Sequence, residues 1–221
     1  AGTHPGAGLP GVVSSAKVVE KLVPPSRAED EEAFQQLFRS KSRTFSLASF
    51  LLPKERAEAI FRLYYVCRTL DDWADEGQED KLRDAMACWN EHKPHPLLDH
   101  YRFLQARWGL ASLPMTELME AMIQEQNGVA MKTETELLAY CHGVAGTIGL
   151  MTCPIFGVTD EKALKHADDL GIAMQLTNIC RDVCEDAKNG RIYLPAEYFK
   201  SPPSHADILQ NNSNGVLNEI T

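Results

Sequence analysis

The stretch YYVCRTLDDWAD, residues 64–75, holds three aspartates in its last five positions. It closes a run between Pro53 and Gly77 in which Ile60, Leu63, Tyr64 and Cys67 recur at helical spacing. Such a run makes one apolar face of a helix about 36 Å long. The next positions on that stripe are Asp71 and Asp75, which are expected to fall on the buried side. On a helix they stack with Cβ atoms about 5–6 Å apart. Two carboxylates at that separation repel by roughly 1–3 kcal/mol at an effective dielectric near 20. Acids at a helix C-terminus also oppose its dipole. Both penalties point to a cation, against the plainer reading of a solvated acidic end.

A second run repeats the pattern. Leu170, Met174, Asn178, Asp182 and Asp186 are spaced by fours, with Gln175 beside them. This stripe also passes from apolar to polar and ends in Asp-x-x-x-Asp. Oxygen-only ligands suit hard divalent cations, and magnesium takes one or two carboxylates together with water and phosphate oxygens. The pairs therefore suggest a diphosphate substrate whose leaving group departs beside an apolar wall that excludes water. A di-iron carboxylate bundle would require Glu-x-x-His, and the sequence has no such motif.

The chain has 221 residues, 44% of them hydrophobic, and a net charge of −9. The acidic balance argues against nucleic acid as a partner. Cys67, Cys88, Cys141, Cys153, Cys180 and Cys184 form no CxxC pair, so buried thiols are expected rather than zinc or disulfides, as suits a reducing cytoplasm. No charged n-region followed by an apolar h-region opens the sequence. Residues 141–158 lack any Asp, Glu, Lys or Arg, but Pro154 and several glycines favour a kinked core helix over a membrane span.

Residues 1–25 read as a loose leader rich in Gly, Pro and Ser. Ser26-x-x-Glu29 is a capping box that opens a helix to about 40, and residues 42–53 form a shorter helical segment. Thr116 opens a helix ending near Gly128. Thr133-x-x-Glu136 is a further capping box, and Thr159 opens a long helix that stops at Asn189-Gly190. No strand-length alternation or internal repeat stands out. The fold class is all-α, with one helical domain over 26–221.

SRTFSLASFLLP, YYVCRTLDDWAD, YCHGVAGTIGL and QLTNICRDVCEDAKNGRIYLP, in this order, resemble the squalene/phytoene synthase family across about 40–199. The resemblance implies a single isoprenoid-synthase-type bundle around a central cavity. It implies head-to-head coupling of two prenyl diphosphates, geranylgeranyl or farnesyl, through a cyclopropylcarbinyl diphosphate to phytoene or a squalene-type hydrocarbon. It makes Asp71, Asp75, Asp182 and Asp186 magnesium ligands, with manganese as the alternative metal. NADPH enters only if the product is squalene. Lys41, Ser42, Arg68, Arg181 and Arg191 would meet diphosphate oxygens; Gln175 and Asn178 would line the reacting centre; Tyr140 would face the cation or the leaving group.

Tyr64 and Phe45 complete the expected substrate contacts, and Phe45 with Ser49 one turn on leans toward the twenty-carbon chain and phytoene. Gly143, Gly146 and Gly149 give either close helix packing or room for a prenyl chain. Lys132 stands where the family often has an acid, the links near 89–98 and 131–137 look short, and family members continue for one or two helices beyond 221. The alternatives are an inactive assembly or scaffold relative and a terpene cyclase. Lipid substrates imply a peripheral membrane contact; the sequence offers no basic amphipathic helix for it and leaves the oligomeric state open.

Overall fold

The computed structural model describes residues 32–36 and 51–209. The leader, the Ser26 capping box, the 42–50 segment and the sites at Lys41, Ser42 and Phe45 lie outside the described residues. Among the described residues a helical turn at 32–36 is followed by α1 Lys54–Asp75, α2 Glu79–Asn90, α3 Pro96–Trp108, α4 Leu113–Glu125, α5 Glu134–Cys141, α6 Thr147–Thr152 and α7 Glu161–Lys188, with a further helical turn at 205–209. A π-helical turn, His142–Gly146, joins α5 to α6, and a 3₁₀ turn, Cys153–Phe156, ends that segment. Among the described residues the only β-pairing is the isolated parallel bridge between Ala130 and Ile192.

The main core lies among α1 to α4. α1 contributes Leu63, Val66, Cys67, Leu70 and Ala74; α2 Leu82 and Trp89; α3 Leu98 and Leu104; α4 Met115, Leu118 and Met122. Each large apolar side chain removed from water here contributes about 1.5–3 kcal/mol before entropy is counted. Polar atoms in this core find partners: Tyr101 donates its hydroxyl to the Ala111 carbonyl at 2.6 Å, and Trp89 Nε1 donates to Thr116 Oγ1 at 2.8 Å.

Several sequence expectations hold at their ends. Pro53 caps α1 from one residue outside it, and Gly77 takes φ +67° after its last turn. Thr133 Oγ1 accepts the Glu136 N–H at 3.2 Å, while Glu136 accepts the N–H of Lys132 at 2.6 Å. Asp160, not Thr159, caps α7, accepting the Ala163 N–H. Thr116 does not open α4. The helix begins at Leu113, with Pro114 in its first turn, and Thr116 donates back to the Ser112 carbonyl. All six cysteines are free thiols, but only Cys67, Cys141 and Cys153 are buried as expected; Cys88 and Cys184 are partly covered and Cys180 is exposed.

The charge-free segment is broken as expected, at the π turn and at Pro154. By length and composition Glu134–Phe156 could cross a membrane; in this fold it packs between α4 and α7. Its glycines make that packing possible. A Cβ at Gly143 would stand 2.7 Å from Ala121 Cβ, and one at Gly149 would stand 2.5 Å from the Ala167 carbonyl oxygen. Close helix packing, rather than room for a ligand, accounts for those positions. On α7, a Cβ at Gly171 would lie 2.5 Å from the Ala145 oxygen.

Gly171→Ala forces backbone apart and should cost about 1–3 kcal/mol. Chemical denaturation reads that loss, and an unchanged midpoint would contradict the close approach of α7 to the π turn.

Candidate functional site

α1 and α7 each deliver one acidic pair, but not from a fully buried face. The Asp71 and Asp75 side chains are 44% and 51% exposed. The buried stripe of α1 runs through Leu70 and Ala74, and the acids flank it. On α7 the upper stripe is also corrected: Leu170 is 62% exposed and Met174 46% among the described residues. Only the lower part of α7 buries a face, through Ile179, Val183 and Ala187. The open upper face lies next to the close-packed glycine face, which leaves α7 two different sides.

Arg68 donates to Asp71 at 2.6 Å and pairs with Asp72 at 2.5 Å, so it serves both acids rather than Asp72 alone. Tyr64 lies one turn before it, half-buried; burial first, then the charges of Asp71 and Asp72 against that of Arg68, push its phenol up. On α7, Arg181 is exposed and bonds its neighbour Asp182 through Nε at 2.7 Å, which holds Asp182 below the usual carboxylate range. Asn178 finds its partner in Gln175, donating at 3.4 Å.

The two motifs meet through a residue that the sequence reading passes over. Glu125, the last residue of α4, has a side chain only 9% exposed. Tyr193 donates to its Oε1 at 2.7 Å, Tyr140 to its Oε2 at 3.0 Å, and Arg191 Nη1 lies 3.2 Å from Oε1. The same Arg191 nitrogen reaches Asp75 at 3.3 Å. Tyr140 and Tyr193 stack, with centroids 5.0 Å apart. Burial, then the charge of Glu125, pushes both phenols above their ordinary value and keeps them protonated.

Arg191 and Tyr193 are delivered by an extended segment that runs beside 129–132: Ile192 N–H donates to the Val129 carbonyl at 3.3 Å, and Ala196 N–H to that of Met131 at 2.9 Å. Position 132 supplies no acid; the carboxylate in this network comes from Glu125 instead. The rule that singled out Asp71 also finds it. Met115, Leu118 and Met122 form the α4 stripe, and the next position is an acid.

Electrostatics ties one aspartate of each motif, Asp71 and Asp186, to this centre. Asp71 is pushed from 3.8 up to about 6, by burial first, then by Asp75, against the pull of Arg68, with Asp72 and Glu125 adding to the rise. Asp186 is pushed to about 6 by burial, then by Asp182, against Arg191, with Glu185 and Glu125 adding. Glu125 therefore acts on an acid from each motif. Among the described residues no three His, Cys, Asp or Glu side chains are grouped closely enough to hold a metal ion by themselves. The donor set is nevertheless all oxygen and short of positive charge. That suits a hard cation which takes one or two carboxylates and completes its shell from water and phosphate.

The raised acids carry a stability signature. In the folded chain Asp71 releases its proton near pH 6, and in the unfolded chain near 3.8. Between those values the folded state holds the extra proton, so stability falls as pH rises across the window. Asp71→Asn should therefore raise the melting temperature at pH 7 and not at pH 3. After allowance for solvent screening the gain at pH 7 is about 1 kcal/mol. A variant less stable than the parent at pH 7 would contradict the crowding.

The sequence profile of the squalene/phytoene synthase family matches residues 38–220. A phytoene synthase of Thermus thermophilus is 36% identical over 186 residues, which are 81% of this chain and 64% of that one. A 4,4'-diapophytoene synthase of Staphylococcus haemolyticus is 30% identical over 227 residues, 86% of this chain and 79% of that one. A solved dehydrosqualene synthase superposes with TM-score 0.68 at 32% identity, covering 76% of this chain and 62% of that one. The chain thus spans somewhat under two thirds of the Thermus relative's length. Its all-helical fold, its two acidic motifs and these matches agree: the chain belongs to the squalene/phytoene synthase family.

Proposed function

We propose that the chain carries the prenyltransferase chemistry named in its relatives: head-to-head condensation of two prenyl diphosphates. The route runs through a cyclopropylcarbinyl diphosphate to phytoene or a squalene-type hydrocarbon. The observation that carries this reading is that Asp71 and Asp75 from α1 and Asp186 from α7 all act on, or are acted on by, Glu125 and Arg191. Phytoene is the first choice of product, in keeping with the Thermus relative's name; hydride from NADPH is needed only if the product is squalene.

Asp71, Asp75, Asp182 and Asp186 are the residues to hold magnesium. When bound, magnesium supplies positive charge that stabilises a departing diphosphate. The chain's own groups do the rest. Arg68, Arg181 and Arg191 present guanidinium forks, whose planar donors match phosphate oxygens. In this structure those forks are engaged by Asp71, Asp72, Asp182, Asp75 and Glu125. Substrate binding exchanges some of these carboxylate partners for phosphate.

Glu125 accepts from both tyrosine hydroxyls and so fixes where the Tyr140 ring stands. A protonated phenol beside a departing diphosphate offers it a hydrogen bond without adding negative charge. Leu170 and Met174 give α7 an exposed apolar face leading to Asn178, against which a prenyl chain can lie. Because substrates of this kind partition into lipid, a peripheral membrane contact accompanies the proposal.

Incubation with geranylgeranyl or farnesyl diphosphate and magnesium, with and without NADPH, followed by mass spectrometry of the extract, tests the reading. A C40 or C30 hydrocarbon is expected, and release of the prenyl alcohol alone would contradict it. Asp75→Ala and Asp182→Ala should each lower turnover at least 100-fold, about 2.7 kcal/mol of barrier, with unchanged helical circular dichroism. Glu125→Gln should lower it roughly tenfold, by loosening Tyr140 and Arg191.

A further inference from the structure

Away from the aspartates, three elements of the site meet at one imidazole. His142 opens the π turn, two residues after Tyr140. Its Nδ1 lies 2.6 Å from Asp168 Oδ1 on α7, and its Nε2 lies 3.4 Å from Glu117 Oε2 on α4. A carboxylate accepts and cannot donate, so both ring nitrogens must carry protons for both contacts to be favourable. The two contacts together call for an imidazolium. Asp168 stands four and five turns before Asp182 and Asp186 on α7, and Glu117 stands about two turns before Glu125 on α4. The imidazole therefore joins the three elements that present Tyr140, Glu125 and the second acidic pair.

The backbone is built around this contact. A Cβ at Gly146 would lie 1.9 Å from Asp168 Oδ1 and 3.1 Å from His142 Nδ1. Only a glycine there lets the Asp168 carboxylate reach the ring. The π turn itself, a form concentrated at functional sites, begins at the histidine.

We propose that Glu117, His142 and Asp168 form a positioning clip, in which one doubly donating imidazolium sets the register of α7 against α4 and the Tyr140 helix. The clip touches no substrate. It acts through Glu125, Tyr140 and the α7 aspartates, and its consequence for turnover rests on the proposed function.

The charged groups acting on His142 are Asp168 from α7 and Glu117 from α4. Burial works against the charged ring, but the hydrogen bond and charge of Asp168, then those of Glu117, outweigh it, and His142 titrates above its ordinary 6.5. With the folded value raised, the clip's stabilisation is complete below the unfolded histidine value and is lost as pH rises through the folded one.

Nitrogen-15 NMR of the intact chain reads the ring directly. Both nitrogens should be protonated at pH 6, and the ring should titrate above free histidine. A ring with one bare nitrogen at pH 6 would overturn the clip. The melting temperature of the parent should fall as pH rises through that titration. His142→Gln and Asp168→Asn should each flatten the fall; variants that keep the parent's pH profile would also overturn it.

In turnover, His142→Gln should lower kcat about tenfold with KM within roughly twofold, and parent kcat should decline across the same titration. Unchanged kcat beside an altered melt would reduce the triad to a structural pair and overturn the positioning role. A parent chain inactive on prenyl diphosphates would overturn the proposed function instead, while the spectrum and the melts still decide the clip.

Discussion

Crowding of negative charge at the ends of three helices is the constraint on which this structure turns. Asp71 and Asp75 close α1, Glu125 closes α4, and Asp182 and Asp186 lie in the last two turns of α7. Helix C-termini disfavour anions, and each carboxylate raises its neighbours. Arg191 answers part of this by meeting both Glu125 and Asp75. Burial first, and then this crowding, leaves Asp71 and Asp186 with raised proton affinity. A protein that keeps so many acids together bears a cost in the resting chain, and that cost is relieved when positive charge arrives. This logic is what joins the fold to the proposed magnesium and diphosphate chemistry.

The glycine-lined face of α7 has a complementary task. It locks α7 against the π turn and α6 at backbone contact, so its acids are carried on a fixed rod. The neighbouring face is open at Leu170 and Met174 among the described residues. Close packing on one side and an apolar surface beside it suit the proposed role of α7, which is to hold acids still beside a hydrocarbon chain. The His142 contacts fall at the upper part of the same rod.

Much of this could be read from residues alone, for reasons that differ by element. α1 and α7 announce themselves through residues spaced by helical turns, α5 through its Thr133 cap, and Gly77 and Gly190 mark the ends of α1 and α7. α2 and α3 were harder. α2 buries little beyond Leu82, Ala85 and Trp89, and α3 is capped by a histidine ring, His95, accepting the Leu98 N–H. The start of α4 was misjudged because Ser112 caps without a side-chain bond, which left Thr116 as the more conspicuous candidate. The four aspartates follow from spacing. Glu125 follows from the α4 stripe in the same way, but its meeting with Tyr193 does not, because it depends on the pairing of 191–197 with 129–132, a contact between segments some sixty residues apart. The burial of the acidic faces was overestimated, since periodicity tells which side a residue shares and not how much chain covers that side.

Calorimetry of a non-reacting prenyl thiodiphosphate binding to the intact chain near pH 6, with and without magnesium, tests the central claim most directly. Tight binding should require magnesium, and protons should be released to the buffer as Asp71 and Asp186 ionise under the incoming charge. Equal affinity in the presence of a chelator, with no proton release, would contradict the account.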